Sequence, residues 1–508
     1  MSESVYTLTL PIKTPEYARI FFEGAFRAVS RVHNTVVSHV IGRMNVLNHN
    51  AEYKELKSEY GKIADKKELT ESDKRTLKEI GTKLNKIIRK SGMTQSAVEK
   101  YAKVIGKKYS NYLSSQQVQK EADRVWNAVK KVLYSNGKQI HYKKQIDFDA
   151  ISGKSNKNGI RFDPKTLTFT WMKETYQCYV PRMMSSEYLT ESLTRKISFC
   201  DIKRMMFPNG WKYYLVITLE GASPLVHEHS DNGVMGIDIG TSTVAGVSDS
   251  KLFLEILADD VERYDVQIND LNRKMDNSRR STNPGKYNPD GTPKKRAKGK
   301  WIFSKNYLKD RRKYKSLNRQ RSAFVECMHR RLANQMIRHA VHFVAESMNF
   351  QSLAKRAKET KRESKPKQII DKKGNVRLTR KFLRKKRYGH SILCRAPSLF
   401  MSILERKACR YGGELSRVKT SAFKASQYDH ITDSYTKTGI GQRSKRIGDT
   451  TIQRDLYSAF LLSNTDLSLE HADRERCSAG FAKFVELHSA LISEMKTAGI
   501  SKKSCFGF

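Results

Sequence analysis

The sequence predicts a multidomain α+β chain, and three observations carry that prediction. At 508 residues the chain has room for two to four domains with ample core. Its periodicity changes twice: a strand-like start gives way to a long helical block, and that block to a series of short strands. Beyond these lie three apolar runs, far apart in sequence, each carrying one acid among residue types that are normally buried.

Residues 4–13, SVYTLTLPIK, alternate apolar and polar side chains as a half-buried strand does. Pro15 then opens a helix with Phe22, Phe26, Val29, Val32, Val36, Val40 and Met44 three or four apart on one face. Residues 51–92 are dense in Lys and Glu with a thin apolar stripe through Leu56, Ile63, Leu77 and Ile88, the pattern of an exposed helical hairpin. Helices resume in SAVEKYAKVIGKKYSNYL and QQVQKEADRVWNAVKKVLY and end near Gly137. From there KQIHYKKQIDFD, NGIRFD, TLTFTWM, QCYVP, KISFCDIKRMMF and WKYYLVITLE all read as strands, with Asn-Gly turns at 158–159 and 209–210. Several short strands without helices between them suggest a small barrel.

The rest of the chain is organised around VMGIDIGTSTVAGV, residues 234–247. Val234, Met235, Ile237 and Ile239 read as a strand packed on both faces, with Asp238 set between Gly236 and Gly240. A carboxylate there is costly unless a cation or a donor meets it. The flanking glycines would let a ligand approach the backbone. KLFLEIL (251–257) reads as a hairpin partner, followed by a basic helix, an irregular basic segment over 279–301 and a charged helix from residue 304. Arg273, Lys274, Arg279 and Arg280 would line one helix side and meet phosphates. Trp301, Phe303 and Tyr307 stack on bases or, more commonly at such spacing, fill a core.

A second apolar run, in MIRHAVHFVAESMNF (336–350), ends in Glu346. In TTIQRDLYSAFLL (450–462), Asp455 opens a helix with Leu456, Ala459, Phe460 and Leu462 on its inner face. Between the two, residues 351–390 hold 16 Lys or Arg against three acids, densest at Arg384, Lys385, Lys386 and Arg387. Such a run is usually a solvated tail; flanked by two acid-bearing blocks, it suits contact with RNA or DNA. The tail after residue 463 reads as a helix pair. Three carboxylates at strand and helix ends can hold two hard divalent cations, and magnesium prefers such oxygen ligands. Spacing alone does not show that these acids converge.

Their order has a counterpart. GIDIGTSTVAGV, VAESMNFQSL and QRDLYSAFLL resemble the three blocks of the split RuvC nuclease domain of TnpB-type transposon-encoded RNA-guided nucleases and compact type V CRISPR effectors. RKMDNSRRSTNPGKYNPDGT and SILCRAPSLFMSILERKACRYGGEL are similar to the intervening text of the longer TnpB-type proteins. The resemblance is clear from residue 195 onward and weaker before it. It implies an RNase H-like (RuvC) nuclease domain, a small β-barrel (wedge) domain and an inserted helical recognition domain. The barrel would take residues 1–14 and 137–230, and the helical insertion 15–136. The nuclease would take 231–350, 351–418 and 449–508, with a target-loading insert over 419–448. Asp238, Glu346 and Asp455 would be its catalytic and metal-binding acids, holding two magnesium ions. The partners would be a guide RNA and double-stranded target DNA, cut beside a short flanking motif.

Charge points the same way. With 96 Lys and Arg against 52 Asp and Glu, the net charge is +44, an excess that calls for a polyanionic partner. The start, MSESVYTLTL, lacks the features of a signal peptide, and no apolar run is long enough to span a membrane. Seven scattered cysteines without a CxxC pair suit a reducing compartment. The expected location is therefore the cytoplasm, and the resemblance implies that of a bacterial or archaeal cell, close to the nucleoid.

The resembled family usually carries a four-cysteine zinc ribbon in the insert. Here no cysteine lies between Cys409 and Cys477, and only His430, Asp429 and Asp433 are conceivable ligands, so no zinc is expected. Leu456 and Tyr457 stand where many relatives have an Asn after the acid. Two further readings stay open: a nuclease-inactive RNA-guided repressor, and an unguided RuvC-like resolvase or transposase.

Overall fold

In this computed structural model the chain separates into two compact units, residues 1–226 and 227–508. The structure describes residues 4–507 except 67, 136, 183, 225–227, 289–291, 295–298, 355–366, 371–375, 380–387, 438, 440 and 501–505.

The first unit begins with strand β1 (Val5–Pro11) and five helices: α1 (Glu16–His49), α2 (Ala51–Ala64), α3 (Glu71–Lys90), α4 (Gln95–Lys107) and α5 (Ser115–Tyr134). The apolar spacing read from the sequence is what buries α1: Phe22, Phe26, Val29, Val32, Val36, Val40 and Met44 all lie in the core. Helices α2 and α3 pair with each other, and only Tyr53, Ile80 and Ile88 of the two are buried. A reciprocal cap between Thr70 and Asp73 starts α3, satisfying N–H groups that have no intrahelical partner.

Strands β2 (Ala150–Ser152), β3 (Arg161–Asp163), β4 (Thr168–Trp171), β5 (Glu174–Gln177), β6 (Ile197–Phe207) and β7 (Gly210–Glu220) follow, with helix α6 (Ser186–Thr194) between β5 and β6. They form two open sheets, β1-β7-β6-β2 and β3-β4-β5, and among the described residues no barrel closes. The expected barrel stops short at two seams. One is a single bridge between Ile12 and Cys178. At the other, Asn156 stands in for a ladder: its backbone N–H donates to Ser198, while its carboxamide accepts the Phe162 N–H and donates to the Phe162 carbonyl. One side chain thus does what a strand pairing would.

Two sequence readings fail here. Residues 138–144, read as a strand, are irregular and lead into a 3-10 turn at Gln145–Asp147, because the Asn34 side chain takes up the Lys143 backbone N–H and carbonyl. Helix α6 carried no clear apolar period and was not anticipated.

The second unit is built on a five-stranded sheet of β8 (Val234–Ile239), β9 (Thr243–Val247), β10 (Leu252–Ile256), β11 (His342–Glu346) and, later, Glu414–Val418. Two long helices, α7 (Arg263–Thr282) and α8 (Lys305–Ile337), fall between β10 and β11. After β11 come α9 (Phe350–Ala354), a hairpin of β12 (Lys367–Ile370) and β13 (Val376–Thr379), α10 (Gly389–Arg395), α11 (Pro397–Arg410) and β14 (Glu414–Val418). The sheet runs β10-β9-β8-β11-β14, antiparallel as far as β8 and parallel from β8 through β14. Then follow α12 (Thr420–Phe423), the hairpins β15 (Tyr428–Asp429) with β16 (Ser434–Tyr435) and β17 (Ser444–Ile447) with β18 (Thr450–Gln453), and helices α13 (Arg454–Ser463) and α14 (Arg474–Thr497). The tail holds one long helix among the described residues, not a pair, since residues 464–473 turn on the Asp466 and Ser468 side chains.

Both faces of the sheet are covered. Met235, Ile237, Ile239, Phe343 and Ala345 pack with Met336 of α8 and Phe400 and Leu404 of α11. On the opposite face Val234, Val344 and Ala245 meet Leu456, Ala459 and Phe460 of α13 and Phe484 of α14. Side chains alternate along a strand, so Gly236 and Asp238 share a face with Val234, and Glu346 shares one with Val344. That is the α13 face.

Candidate active site

The three acids predicted from sequence come together on this face. The parallel register pairs Ala345 with Ile237, so Glu346 and Asp238 stand at neighbouring positions at the ends of β11 and β8. Asp455 arrives in the first turn of α13, which packs directly on β8 and β9. A Cβ on Gly236 would overlap the carbonyl oxygen of Ala459, so the glycine is what lets α13 lie this close to β8. The sequence reading that Gly236 admits a ligand is corrected: the helix fills that space. Gly240 faces its own turn, with Thr243 as the nearest neighbour.

Electrostatics report the convergence. Asp238 is raised well above the usual carboxylate range, first by burial and then by the charges of Asp455 and Glu346. Arg454 and the Ser458 hydroxyl oppose that shift. Glu346 is also raised by burial, against the Ala425 N–H, which donates to Oε1 at 3.2 Å, and the Thr420 hydroxyl. Asp455 is buried and ion-paired to Arg454 at 2.9 Å and to Arg443 at 3.4 Å. Three hard oxygen donors that repel one another on half-buried ground form a set suited to a divalent cation such as magnesium. Their oxygens do not form a group that lies mutually within 4.8 Å; among the described residues that spacing is met by Asp265, His390 and Cys394.

A supporting network places Asp455. The Gln453 side chain caps α13 by accepting the Leu456 N–H at 2.7 Å, and the Gln453 backbone N–H donates to His488 Nε2 of α14 at 3.0 Å. Tyr457, the residue that departs from the resembled pattern, is fully buried; its hydroxyl accepts the His430 backbone N–H and meets His430 Nδ1 at 2.8 Å. The three conceivable ligands of the insert are thereby engaged in shape rather than directed at a common point. His430 is held by Tyr457, Asp429 accepts the Ile431 N–H, and Asp433 accepts the Tyr428 hydroxyl.

Similar solved structures include a Cas12f1–sgRNA–target DNA complex, at 11% identity and TM-score 0.44, covering 91% of this chain and 99% of that one. A CRISPR-Cas12f ternary complex gives 12% identity and TM-score 0.26, covering 88% and 82%. A Cas12i–crRNA–dsDNA complex gives 10% and 0.25, covering 93% and 65%. No family model matches the sequence, and no curated protein matches it.

The basic candidates of α7 are largely exposed and pair within their own helix. On α7, Arg273 pairs with Asp270, and Arg279 and Arg280 both pair with Asp276 at 2.7 Å, while Lys274 is exposed. Trp301 and Phe303 are exposed and do not fill a core: Phe303 stacks on Tyr307 at 4.6 Å, and Lys286 lies over Trp301. Arg384, Lys385, Lys386 and Arg387 lie outside the described residues. Sequence reasoning missed Arg443, Arg454, Ser458 and His488. Arg454 was legible as the neighbour of Asp455, whereas the other three reach the site only through the fold. Among the described residues, no helix is long and apolar enough to cross a membrane.

Proposed function

We propose that this chain is an RNA-guided DNA endonuclease that cuts double-stranded DNA beside a short flanking motif in one RuvC-like site. The observation that carries the reading is the convergence of Asp238, Glu346 and Asp455 on one face of the sheet, where Asp455 and Glu346 raise the cost of the Asp238 charge. The strand order, three antiparallel then two parallel, supports an RNase H-like architecture, as do the sequence blocks that bear the acids. A net charge of +44 supports a nucleic-acid partner, for which we propose a guide RNA and a target DNA.

Asp238, Glu346 and Asp455 would hold two magnesium ions, which supply an activated water and stabilisation of the leaving 3′ oxygen. Arg443 and Arg454 neutralise Asp455 in the free protein and stand close enough to meet a phosphate as it enters. The Ala425 N–H, donating to Glu346 Oε1, helps hold that carboxylate in one orientation. Sequence choice would come from base pairing between guide and target strand, the protein reading duplex shape and the flanking motif.

The test is expression with the native flanking locus, followed by sequencing of any co-purified RNA and incubation of the complex with a matched duplex and magnesium. A discrete RNA with guide-dependent double-strand cutting establishes the reading. A discrete RNA without cutting replaces it with a guided repressor. No discrete RNA replaces it with an unguided resolvase or transposase.

A further inference from the structure

We propose that Asp265, His390 and Cys394 form a binding site for one thiophilic divalent cation of the zinc class, distinct from the three acids and independent of the nuclease reading. Asp265 lies in the first turn of α7, and His390 and Cys394 lie one helical turn apart on α10. The sulfur of Cys394 is 3.5 Å from Asp265 Oδ2 and 3.7 Å from His390 Nε2, and that nitrogen is 3.3 Å from the same oxygen. A tetrahedral zinc ion, with sulfur at about 2.3 Å and nitrogen and oxygen at about 2.0–2.1 Å, sets those edges at about 3.6, 3.6 and 3.4 Å. The sulfur is also 3.7 Å from His390 Nδ1, so the exposed imidazole must turn to aim Nε2 at the ion, while the three separations match the edges of one face of the tetrahedron.

The surroundings fit an ion as well. Arg321 donates to Asp265 Oδ1 at 2.9 Å, which orients the carboxylate and leaves Oδ2 toward the sulfur and the imidazole. Cys394 is buried while the His390 side chain is 75% exposed, so the site has an open side for entry and for a water as fourth ligand. Binding breaks the Cys394 S–H bond, the sulfur lone pair forms the metal–sulfur bond, and the proton leaves to water.

The site would act as a staple. Ser391 of α10 donates to the Thr241 carbonyl at 2.9 Å, in the turn that follows β8 and Asp238. Arg395, also of α10, donates to the Leu257 carbonyl and pairs with Glu262. Fixing α10 to α7 would fix that turn. The sequence expectation of no zinc concerned the stretch between Cys409 and Cys477, which none of these three residues belongs to.

The test uses the full chain, stripped with a chelator and reloaded with cobalt(II) or zinc(II) in excess magnesium, which occupies the all-oxygen sites. The expected result is one equivalent of tightly held metal and a near-ultraviolet thiolate-to-cobalt charge-transfer band. Cys394→Ser should remove the band, and His390→Ala, at an exposed position, should weaken affinity about tenfold or more. Cys409→Ser, at an exposed cysteine of α11, should leave both unchanged. Absence of the band in the unaltered protein, or its survival in Cys394→Ser, overturns the site and leaves Asp265 and His390 as an ion pair.

Discussion

Gly236 of β8 and Ala459 of α13 are in close backbone contact: a side-chain carbon on Gly236 would lie 1.9 Å from the Ala459 carbonyl oxygen. This contact sets how near Asp455 comes to Asp238. Gly236→Ala should push α13 outward, at a cost of about 3 kcal/mol. A denaturant titration of the full chain would show the lower midpoint, with loss of nuclease activity. An unchanged midpoint would mean that α13 is not seated on β8 as described.

Removing the repulsion among the acids should stabilise the protein. Asp238 is driven up by burial and by Asp455 and Glu346, so its charged form costs folding free energy near neutral pH without a cation. Asp238→Asn should therefore raise stability by about 1–3 kcal/mol while abolishing cleavage. Magnesium should raise the melting temperature of the unaltered protein more than that of the variant.

Acid should loosen the start of α13. His488 is buried and lowered from 6.5 by that burial, and its Nε2 accepts the Gln453 N–H. A lowered histidine leaves stability intact above the unfolded value of 6.5. Stability is lost as pH falls from there through the folded value, because the unfolded chain takes up a proton first. His329, lowered by burial too, adds to the same window. His488→Gln keeps an acceptor but does not titrate. Denaturant midpoints between about pH 7 and about pH 5.5 should fall less steeply in the variant.

Tyr457→Phe should leave the buried His430 N–H without its acceptor, at a cost of about 1–3 kcal/mol. Hydrogen exchange of residues 428–435 would report it as faster opening of the β15–β16 hairpin, since the hydroxyl ties that hairpin to α13. Protection equal to the parent's would rule out this anchoring.

Long periodic patterns were legible in the sequence: the buried face of α1, the hairpin after β9, and the three acid-bearing runs. Their burial is dictated locally by spacing, so periodicity suffices. Less legible was whatever depended on a distant partner. Residues 138–144 lost their strand to Asn34, more than a hundred positions away. The barrel was left open because Asn156 replaces a ladder at one seam. Trp301 and Phe303 carried a core-like spacing, yet their neighbours are lysine, arginine and each other's segment rather than a sheet. The approach of Arg443 to Asp455 has no sequence signal at all, since it rests on the β17–β18 pairing, which sets Arg443 opposite Arg454 at the start of α13.

The central claim is that Asp238, Glu346 and Asp455 are one catalytic unit. The most direct measurement is cleavage of a guide-matched duplex in magnesium by the unaltered complex and by Asp238→Ala, Glu346→Ala and Asp455→Ala, with RNA and target binding measured alongside. The account predicts that each variant keeps its RNA and its target but cuts at least about a thousandfold more slowly, with no further loss when the changes are combined. Cleavage that survives any one of the three substitutions would contradict it.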